Sequence, residues 1–302
     1  MNDRGAGGFP PPPPGLVRGR VVAAYGRRFT VGTADGTRID CVTRGKRGGV
    51  ACGDWVDLAS TGDGGVIEQV LPRSSLLYRA DSSQEKLIAA NVTQVLVMVA
   101  VWPGWDEDLI ARCLVAAEHA GVRARLLLNK ADMADRRAGA RQALGVFEGA
   151  YPITELSVLN GPHLLRPLLQ DEVSVLVGPS GVGKSSLVNA LTGAQAATGE
   201  VSKALDSGRH TTTHARFYPL DERSALIDSP GMQVFGMHAI APERLAEQFP
   251  EFRQALGQCR FRDCRHLHEP DCAVVQAADN GTFDPRRLGH YRGILAGLGQ
   301  RR

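Results

Sequence analysis

Eight residues in the middle of the chain have the types and the spacing of a phosphate-binding loop. The run Gly178-Pro-Ser-Gly181-Val-Gly183-Lys184-Ser185 fits the pattern G-x-x-x-x-G-K-[ST], after an apolar strand and before a helix. Its glycines allow successive backbone N–H groups to curl around phosphate oxygens, and the following helix N-terminus adds a favourable dipole. We expect Lys184 to place a point charge near the β- and γ-phosphates and the Ser185 hydroxyl to ligate Mg²⁺. The predicted phosphate-binding residues are Gly178, Pro179, Ser180, Gly181, Val182, Gly183, Lys184, Ser185 and Ser186.

A second motif, Asn129-Lys130-Ala131-Asp132, follows the apolar run 126–128 and could select a base. The Asp132 carboxylate accepts two hydrogen bonds, which fits the adjacent N1–H and N2 amino group of guanine, whereas adenine presents an acceptor at N1. A mispaired base would leave buried polar groups unsatisfied, at ~1–3 kcal/mol each. Lys130 can lay its stem against the base. Four residues alone are a weak signal, but beside a phosphate-binding loop they favour GTP over ATP.

Two further motifs come after the phosphate-binding loop. In Asp228-Ser-Pro-Gly231, Asp228 ends an apolar strand and can hold Mg²⁺ through water, and the Gly231 N–H can bind a γ-phosphate. In the run 208–213, Gly-Arg-His-Thr-Thr-Thr, one threonine could complete the Mg²⁺ shell, and Thr212 is our choice. The predicted Mg²⁺ ligands are therefore Ser185, Thr212 and Asp228.

The order of these motifs differs from that in Ras-like GTPases, in which the phosphate-binding loop comes first. Here Asn129 precedes Gly178 by 49 residues, so the same parts occur in rotated order. The sequence therefore predicts a circularly permuted GTPase. In that arrangement the run 156–158 becomes the second base-contacting loop, through Ser157 and Val158.

The chain departs from the Ras-like pattern at the residue that orients the attacking water. Ras-like proteins place a glutamine directly after Asp-x-x-Gly, whereas this chain has Met232 there and Gln233 one residue late. A thioether cannot orient water, so another group must do so. His210 is the candidate because an imidazole both donates and accepts hydrogen bonds; the alternative is a surface histidine or one that contacts a partner. We therefore expect slow intrinsic hydrolysis that depends on a partner.

Three of the six cysteines lie in one short window, Cys259-x4-Cys264-x-His266-x5-Cys272. Three thiolates and one imidazole complete a tetrahedral Zn²⁺ shell of the closed, structural kind, which leaves no position for a catalytic water. His268 lies close enough in sequence to be an alternative ligand. In a reducing compartment a local cluster indicates metal rather than disulfides. The remaining cysteines, 41, 52 and 113, are expected to be small core residues.

Length and composition describe an ordinary globular chain. At roughly 150 residues per domain, 302 residues suggest about two domains, or three small ones. A hydrophobic content of 43% and a charged content of 22% exclude a mainly disordered protein. The longest apolar run, 95–102, is far below the ~18 residues of a membrane helix, and no signal peptide is visible. We therefore expect a cytoplasmic protein without membrane contact.

Strand and helix patterns divide the chain into a tail and three parts. Residues 1–15 form a Pro-rich tail expected to be disordered. About five short strands in 16–78 favour a barrel of the oligonucleotide-binding (OB) type, with any small β-barrel as the alternative. Strands alternate with helices in 79–237, with a helix expected over 135–149 and a strand over 154–158, which predicts a mostly parallel sheet. Residues 238–302 are expected to be helical around the Cys/His loop, with helices over 242–249 and 287–298.

The net charge of +3 conceals an uneven distribution. Residues 1–78 carry 10 basic and 7 acidic groups, 79–237 carry 15 and 17, and 238–302 carry 10 and 8. The two flanks are therefore basic around a slightly acidic centre, which is compatible with flanks that touch nucleic acid.

Taken together, these residues resemble the bacterial ribosome small-subunit-dependent GTPases, the RsgA/YjeQ family, over nearly the whole chain after residue 15. The matching segments are Gly53-Asp-Trp-Val56, Pro72-Arg73, Ala89-Ala-Asn-Val92, Asn129-Lys-Ala-Asp132, 180–189, 208–213, Asp228-Ser-Pro-Gly231, 264–266 and 269–274. The resemblance implies an OB-fold, a circularly permuted GTPase domain and a zinc-binding C-terminal domain, with His266 as the histidine ligand. It also implies a late role in small-subunit maturation, with GTP hydrolysis stimulated by that subunit. Pro179 and Asp271 differ from the glutamine and glycine expected of the family.

The sequence therefore predicts a multi-domain α/β GTP hydrolase, bound to GTP or GDP with Mg²⁺ and one structural Zn²⁺. We expect a monomer whose barrel and zinc domain grip ribosomal RNA, largely through phosphate contacts that weaken with salt. One alternative is a GTP-gated RNA-binding scaffold with negligible turnover, which stimulation by small subunits would exclude. Another is an ATP-dependent kinase, for which Asp132 would not matter to base preference.

Overall fold

The computed structural model describes residues 8–44, 49–62, 64–80, 85–193, 215–229, 237 and 239–299. The predicted tail lies partly outside these residues, and its described part, 8–15, forms no helix or strand. Phe9 and Pro10 of this segment contact Arg18. The Arg18 guanidinium carbon lies 5.8 Å from the centre of the Phe9 ring, and its Nη1 donates to the Pro10 carbonyl.

A small barrel follows. Its strands are β1 (Val17–Tyr25), β2 (Arg28–Thr33), β3 (Arg38–Thr43), β4 (Trp55–Thr61) and β5 (Gly64–Val70). Neighbours pair antiparallel, except that β3 and β5 are parallel, and pairing of β1 with β4 closes the ring in the order β1-β2-β3-β5-β4. Alternate side chains enter the barrel, where Val21, Val31 and Leu58 are fully buried. The predicted OB-type barrel is thereby confirmed.

A hairpin and a mixed sheet make up the next part. The hairpin pairs β6 (Leu76–Ala80) with β7 (Glu85–Ala90). The remaining elements in chain order are β8 (Gln94–Ala100), α1 (Glu107–His119), β9 (Arg123–Asn129), α2 (Ala134–Leu144), β10 (Ile153–Glu155), α3 (Arg166–Leu169), β11 (Val173–Val177), α4 (Lys184–Thr192), β12 (Arg216–Pro219) and β13 (Ala225–Asp228). Strands β10-β9-β8-β11-β13 run parallel in that order, β12 is antiparallel to β13, and β12 also pairs with β1 of the barrel.

The central strands of this sheet are covered on both faces. Every residue of β8, β11 and β13 is buried, which is typical of parallel strands between two helical layers. On one face Val95 and Val97 share a core with Leu114 of α1. On the other face Leu96 and Met98 share a second core with Leu187 of α4 and its neighbours. Alternation along β8 therefore determines which helix covers which face.

The C-terminal part contains α5 (Ala273–Asp279) and α6 (Pro285–Gly299), preceded by the 3₁₀ helices Pro242–Gln248 and Pro250–Phe252. Its core joins that of the α/β sheet, because α6 packs against α1. Phe249 stacks on Phe252 at 4.8 Å, and Tyr291 of α6 meets both rings edge-on at 5.5 Å. Within the described residues no helix is long and apolar enough to cross a bilayer.

Three predicted elements differ from the observed ones. The helix expected over 242–249 is a 3₁₀ helix, Pro242–Gln248. The helix expected over 135–149 ends at Leu144 and continues as a 3₁₀ turn, Gly145–Phe147. The strand expected over 154–158 is the three-residue β10, after which the chain turns toward the sheet edge. Patterns of apolar residues locate such segments, but they do not determine where hydrogen bonding changes from i+4 to i+3.

A buried ion pair fastens the C-terminal part to the α/β sheet. The Arg287 side chain is 1% exposed, and its Nε donates to Glu251, whose side chain is 7% exposed. The guanidinium carbon lies 5.1 Å from the ring of Phe147 and 4.9 Å from that of Phe249. Since Phe147 follows α2 and Phe249 precedes α5, the cation lies where the two parts meet.

We predict that Arg287→Met lowers the free energy of unfolding by about 3–5 kcal/mol, because Glu251 is left buried without a counter-charge. Adding Glu251→Leu should restore most of the loss, because two apolar side chains of similar volume replace the pair. Urea titration measures both. The control is Arg286→Met on the same helix: its exposed ion pairs with Asp284 and Glu107 should contribute about 0–1 kcal/mol. Equal effects at the two arginines would contradict the prediction.

Candidate nucleotide site and metal centre

The predicted nucleotide motifs meet at one edge of the parallel sheet. Cα pairing places Ala100 beside Asn129, and Leu176 beside Asp228. Because β8, β9, β11 and β13 are neighbours, their carboxyl ends lie at this edge together. Ligands of open parallel sheets bind outside such carboxyl ends. The motifs at the ends of β9, β11 and β13 are therefore adjacent in space despite their separation in sequence.

The loop after β11 closes around the ammonium group of Lys184. Lys184 Nζ donates to the carbonyl oxygens of Gly178 and Pro179, each at 2.7 Å. Gly178 has φ +158°, and a Cβ there would lie 2.1 Å from the Met98 carbonyl oxygen of the neighbouring strand. Burial lowers the pKa of Lys184, and the nearby Asp228 carboxylate opposes that shift. The loop thus holds one positive charge close to the sheet edge.

The Asn129 side chain connects two loops across the sheet edge. Its Nδ2 donates to the Val182 carbonyl at 2.7 Å, and its Oδ1 accepts from the Val158 N–H at 3.1 Å. Gly183 has φ +102°, and a Cβ there would lie 2.5 Å from Asn129 Nδ2. The amide is 97% buried, so both of its hydrogen bonds are shielded from water. One side chain therefore fixes the phosphate-binding loop against the predicted base-contacting loop.

Lys130 and Ala131 add further contacts between the same loops. Lys130 Nζ donates to the Gly181 carbonyl at 3.0 Å and to the Trp102 carbonyl at 2.8 Å. The Ala131 N–H donates to the Leu156 carbonyl at 3.1 Å, which aligns the second base loop with the first. These bonds bring the three predicted nucleotide-contacting segments together.

Two side chains in these loops have polar groups that make no hydrogen bond within the described residues. Asp132 is exposed, and within the described residues its carboxylate accepts no hydrogen bond from the protein. The buried Ser157 hydroxyl has no protein partner in the part of the chain that the structure describes. The exposed Asp132 carboxylate beside the phosphate-binding loop offers two acceptors for the polar edge of a base. This arrangement suits a ligand with paired donors.

Asp228 ends β13 with its side chain buried. Burial raises the pKa of this carboxyl to about 6, while the positive charges of Lys184 and Arg216 act in the opposite direction. Ser229 is also buried, and its hydroxyl donates to the Leu176 carbonyl at 2.9 Å. A carboxylate oxygen from Asp228 and a hydroxyl oxygen from Ser185 are the hard ligands that Mg²⁺ prefers, so the donor types fit that ion.

Three predicted site residues, His210, Thr212 and Gly231, lie outside the described residues. The proposed third Mg²⁺ ligand and the group that positions water therefore stay predictions. The sequence reasoning did not single out Trp102 and Arg216. Trp102 contributes a backbone carbonyl, for which no side-chain pattern exists. Arg216 lies on a four-residue strand whose single charged position carries no motif.

The predicted metal ligands form a cluster in the C-terminal part. The ligand atoms of Cys259, Cys264, His266 and Cys272 all lie within 4.8 Å of one another. His266 Nδ1 is 3.3 Å from Cys272 Sγ and 3.6 Å from Cys259 Sγ, and the two sulfurs are 3.9 Å apart. A tetrahedral zinc ion with ordinary bond lengths requires ligand–ligand edges of about 3.5–3.8 Å. The separations among Cys259, His266 and Cys272 are therefore close to those of a zinc site, and the donor types fit that ion.

The Glu269 carboxylate stabilises the turn that contains His266. Glu269 accepts hydrogen bonds from the N–H groups of Arg265, Leu267 and His268, at 2.8, 2.8 and 3.1 Å. Burial opposes ionisation of Glu269, but these N–H groups outweigh it and lower the pKa to about 2. His266 has φ +57°, a left-handed conformation that this turn maintains. His268, the alternative ligand, is exposed and lies outside the cluster.

We predict that Gly183→Ala weakens guanine-nucleotide binding at least about tenfold, because the new methyl group displaces Asn129 and strains a positive-φ residue. Gly181→Ala is the matched control. Gly181 also has a positive φ, +79°, but an added Cβ meets nothing within 4 Å. It should therefore show the strain effect alone. Titration with a fluorescent GDP derivative measures both, and equal affinities of the two variants would refute the steric role of Asn129.

Comparison with known proteins identifies relatives along most of the chain. The family model described as RsgA GTPase matches residues 70–238. A protein of Nitrosomonas europaea named small ribosomal subunit biogenesis GTPase RsgA is 51% identical, over 93% of this chain and 92% of its own length. A protein of the same name from Neisseria meningitidis is 49% identical, over 91% of this chain and 90% of its own.

Solved structures show the same fold. The crystal structure of YjeQ from Thermotoga maritima has a TM-score of 0.72 and 32% identity, covering 95% of this chain and all of that one. A structure described as YloQ, a circularly permuted GTPase, has a TM-score of 0.70 and 23% identity, covering 95% and 96%. The expected combination of barrel and permuted GTPase domain is thus confirmed. About half of the residues of this chain are identical to those of the Nitrosomonas and Neisseria proteins, over more than nine tenths of its length. The chain therefore belongs to the RsgA GTPase family.

Proposed function

We propose that this protein is a GTP hydrolase that binds the small ribosomal subunit late in its maturation and hydrolyses GTP fastest when bound there. The observation that carries the proposal is the meeting of the Asn129 motif, the phosphate-binding loop and Asp228 at one sheet edge. The name shared by the relatives supplies the ribosomal partner. Soluble, cytoplasmic and monomeric behaviour belongs to the same proposal.

Each motif has a role in this hydrolase. Asn129, Lys130 and Asp132 read guanine, and Ser157 and Val158 line the base. The loop 178–186 cradles the phosphates, and Lys184 neutralises charge on the β- and γ-phosphates as it develops. Positioning and charge stabilisation provide most of the catalysis in phosphoryl transfer, so the preformed loop is the main contribution of the protein.

Magnesium and water complete the proposed mechanism. Ser185, Thr212 and Asp228 would hold Mg²⁺, which when bound would neutralise negative charge on the phosphates. The Gly231 N–H would contact the γ-phosphate. His210 would orient the attacking water, because Met232 cannot. If the ribosomal subunit completes the alignment of this water, turnover depends on the subunit.

We assign ribosomal RNA contacts to both basic flanks, the barrel at 16–78 and the C-terminal domain at 238–302, on either side of the GTPase domain at 79–237. Exposed arginines on the barrel include Arg27, Arg38 and Arg44. Beside the metal cluster, the Arg260 guanidinium lies 5.5 Å from the centre of the exposed Phe261 ring. Arginine for phosphates together with an exposed aromatic ring for bases is a combination that binds nucleic acid.

The principal test measures GTP turnover with purified small and large ribosomal subunits separately. We expect small subunits to raise the rate by at least about tenfold, since a partner that completes a phosphoryl-transfer site acts at that scale or above. Large subunits should have little effect, and Lys184→Ala should abolish the stimulation. No stimulation at a large excess of small subunits would overturn the enzyme and leave the GTP-gated scaffold.

We further propose that the cluster at 259–272 holds one structural zinc ion. Cys272→Ser should reduce bound zinc from one ion per chain to none and lower the unfolding temperature, because metal binding contributes folding free energy. Elemental analysis and thermal unfolding measure the two effects. Cys41→Ser, at a buried cysteine of the barrel core, is the control and should retain the zinc. Metal-free protein that stays fully folded would contradict a structural role.

A further inference from the structure

One strand connects the barrel to the nucleotide edge. In β12 the residue Arg216 pairs with Ala23 of β1 on one side and with Asp228 of β13 on the other. A single row of backbone pairing therefore runs from the barrel through β12 to the proposed Mg²⁺ ligand. In sequence, β12 starts four residues after Thr212. Among the strands of the described residues, the pairing of β12 with β1 is the only one between the α/β sheet and the barrel.

A partly buried cation, Arg20, fixes this strand against the barrel. The Arg20 guanidinium carbon lies 4.4 Å from the ring centre of Phe217 and 5.1 Å from that of Trp55. Arg20 comes from β1, Phe217 from β12 and Trp55 from β4, so the cation holds three strands. Burial lowers the pKa of Arg20 to about 10, although the nearby Cys52 and Asp54 oppose that shift. A partly desolvated cation between two aromatic rings makes a directional contact with both.

The Gly53 backbone adds further contacts beside Arg20. We call this contact region between β1, β4 and β12 the joint. The Gly53 carbonyl accepts from Arg20 Nε at 3.3 Å and from Asn91 Nδ2 at 3.1 Å. Gly53 has φ +92°, and a Cβ there would lie 2.3 Å from the Ala90 carbonyl oxygen. Asp54, fully buried, pairs with Arg73 through two hydrogen bonds of 2.7 and 2.6 Å. The short motifs of the barrel that the nucleotide site does not use are thus all part of this joint.

Resting on the proposed function, we propose that β12 is the element through which contact between the barrel and the small subunit is transmitted to Asp228, with Arg20 and Phe217 as positioning residues. A strand bonded on both sides cannot slide against one neighbour without disturbing the other. A change in the position of the barrel relative to β12 therefore changes the position of the Asp228 backbone. Coupling between distant sites is carried by such packed and hydrogen-bonded elements.

The test uses Phe217→Leu in the full-length, zinc-loaded protein. GDP affinity and intrinsic hydrolysis should stay within about twofold of the unsubstituted protein, since the Phe217 side chain packs on Arg20 and on the sheet face opposite to α4, the helix that follows the phosphate-binding loop. The subunit concentration that gives half-maximal stimulation should also change little. The maximal stimulated rate should fall by about fivefold to a hundredfold, the usual size of an energetic coupling. Phe217→Tyr, which keeps the aromatic face, should restore the stimulated rate.

Arg18→Gln is the control for general damage to the barrel. Arg18 lies two residues before Arg20 on the same face of β1 and pairs with Asp57 of β4 at 2.9 and 3.0 Å. The Arg18→Gln variant should keep the maximal stimulated rate of the unsubstituted protein. If Phe217→Leu does not fold, Asn91→Ala, which removes one hydrogen bond at the same joint, takes its place.

The outcomes separate the two proposals. An unsubstituted protein that small subunits do not stimulate overturns both. A stimulated protein whose Phe217→Leu variant is stimulated equally overturns the coupling role alone. A Phe217→Leu variant that loses stimulation only because it needs a higher subunit concentration also overturns the coupling role, because that result means weaker binding. An equal fall of the stimulated rate in Arg18→Gln overturns it too, because that result means a damaged barrel. A lower maximal rate at unchanged half-maximal concentration supports the coupling.

Discussion

Parallel strand pairing at one sheet edge is the constraint on which the rest of this structure depends. Hydrogen bonding between β9, β8, β11 and β13 brings their carboxyl ends together, whatever the order of these strands in the sequence. A GTPase can therefore have its motifs in rotated order without losing its site. What must be preserved is the spatial neighbourhood, and the Asn129 amide maintains it by bonding both to Val182 and to Val158. The rotation frees the two ends of the GTPase domain for attached parts, here a barrel before it and a helical part with a Cys/His cluster after it.

Buried charges mark the places where those domains attach. Asp54 pairs with Arg73 and Arg20 lies between two aromatic rings at the barrel joint, while Arg287 pairs with Glu251 at the C-terminal one. A buried ion pair adds little net stability over apolar packing, but a wrongly docked domain would leave each charge desolvated and unpaired at several kcal/mol. Such residues therefore select one docking geometry against others. In a protein proposed to report the state of one domain to another, a unique docking geometry is worth more than additional stability.

How far the sequence predicted this structure depends on the range of the forces involved. The phosphate-binding loop, β8 and β11 were predictable because a glycine pattern and continuous apolar runs are local signals. The four-residue β12 was not, since its place depends on pairing with β1 and β13 nearly two hundred and about ten residues away. Likewise, spacing left His266 and His268 as alternatives, and only the turn around Glu269 separates a buried histidine from an exposed one. The residues expected to position water lie outside the described residues, so that part of the mechanism is still a hypothesis.

The chain holds only five lysines among its 35 basic residues, and two of them occupy the nucleotide loops. The geometry gives a reason why arginine does not replace them. Lys130 Nζ donates to two carbonyl oxygens from different loops, and Lys184 Nζ donates to two carbonyl oxygens of its own loop. A compact ammonium with three donors fits between converging carbonyls and leaves one donor for a ligand, whereas a planar guanidinium spreads five donors over a rigid fork that is too wide for a tight loop. Where a charge must pair with flat carboxylates or aromatic faces, as at Arg73, Arg287 and Arg20, the chain uses arginine. At these five positions the choice between the two cations therefore follows the shape of their partners, even in a protein whose composition strongly favours one of them.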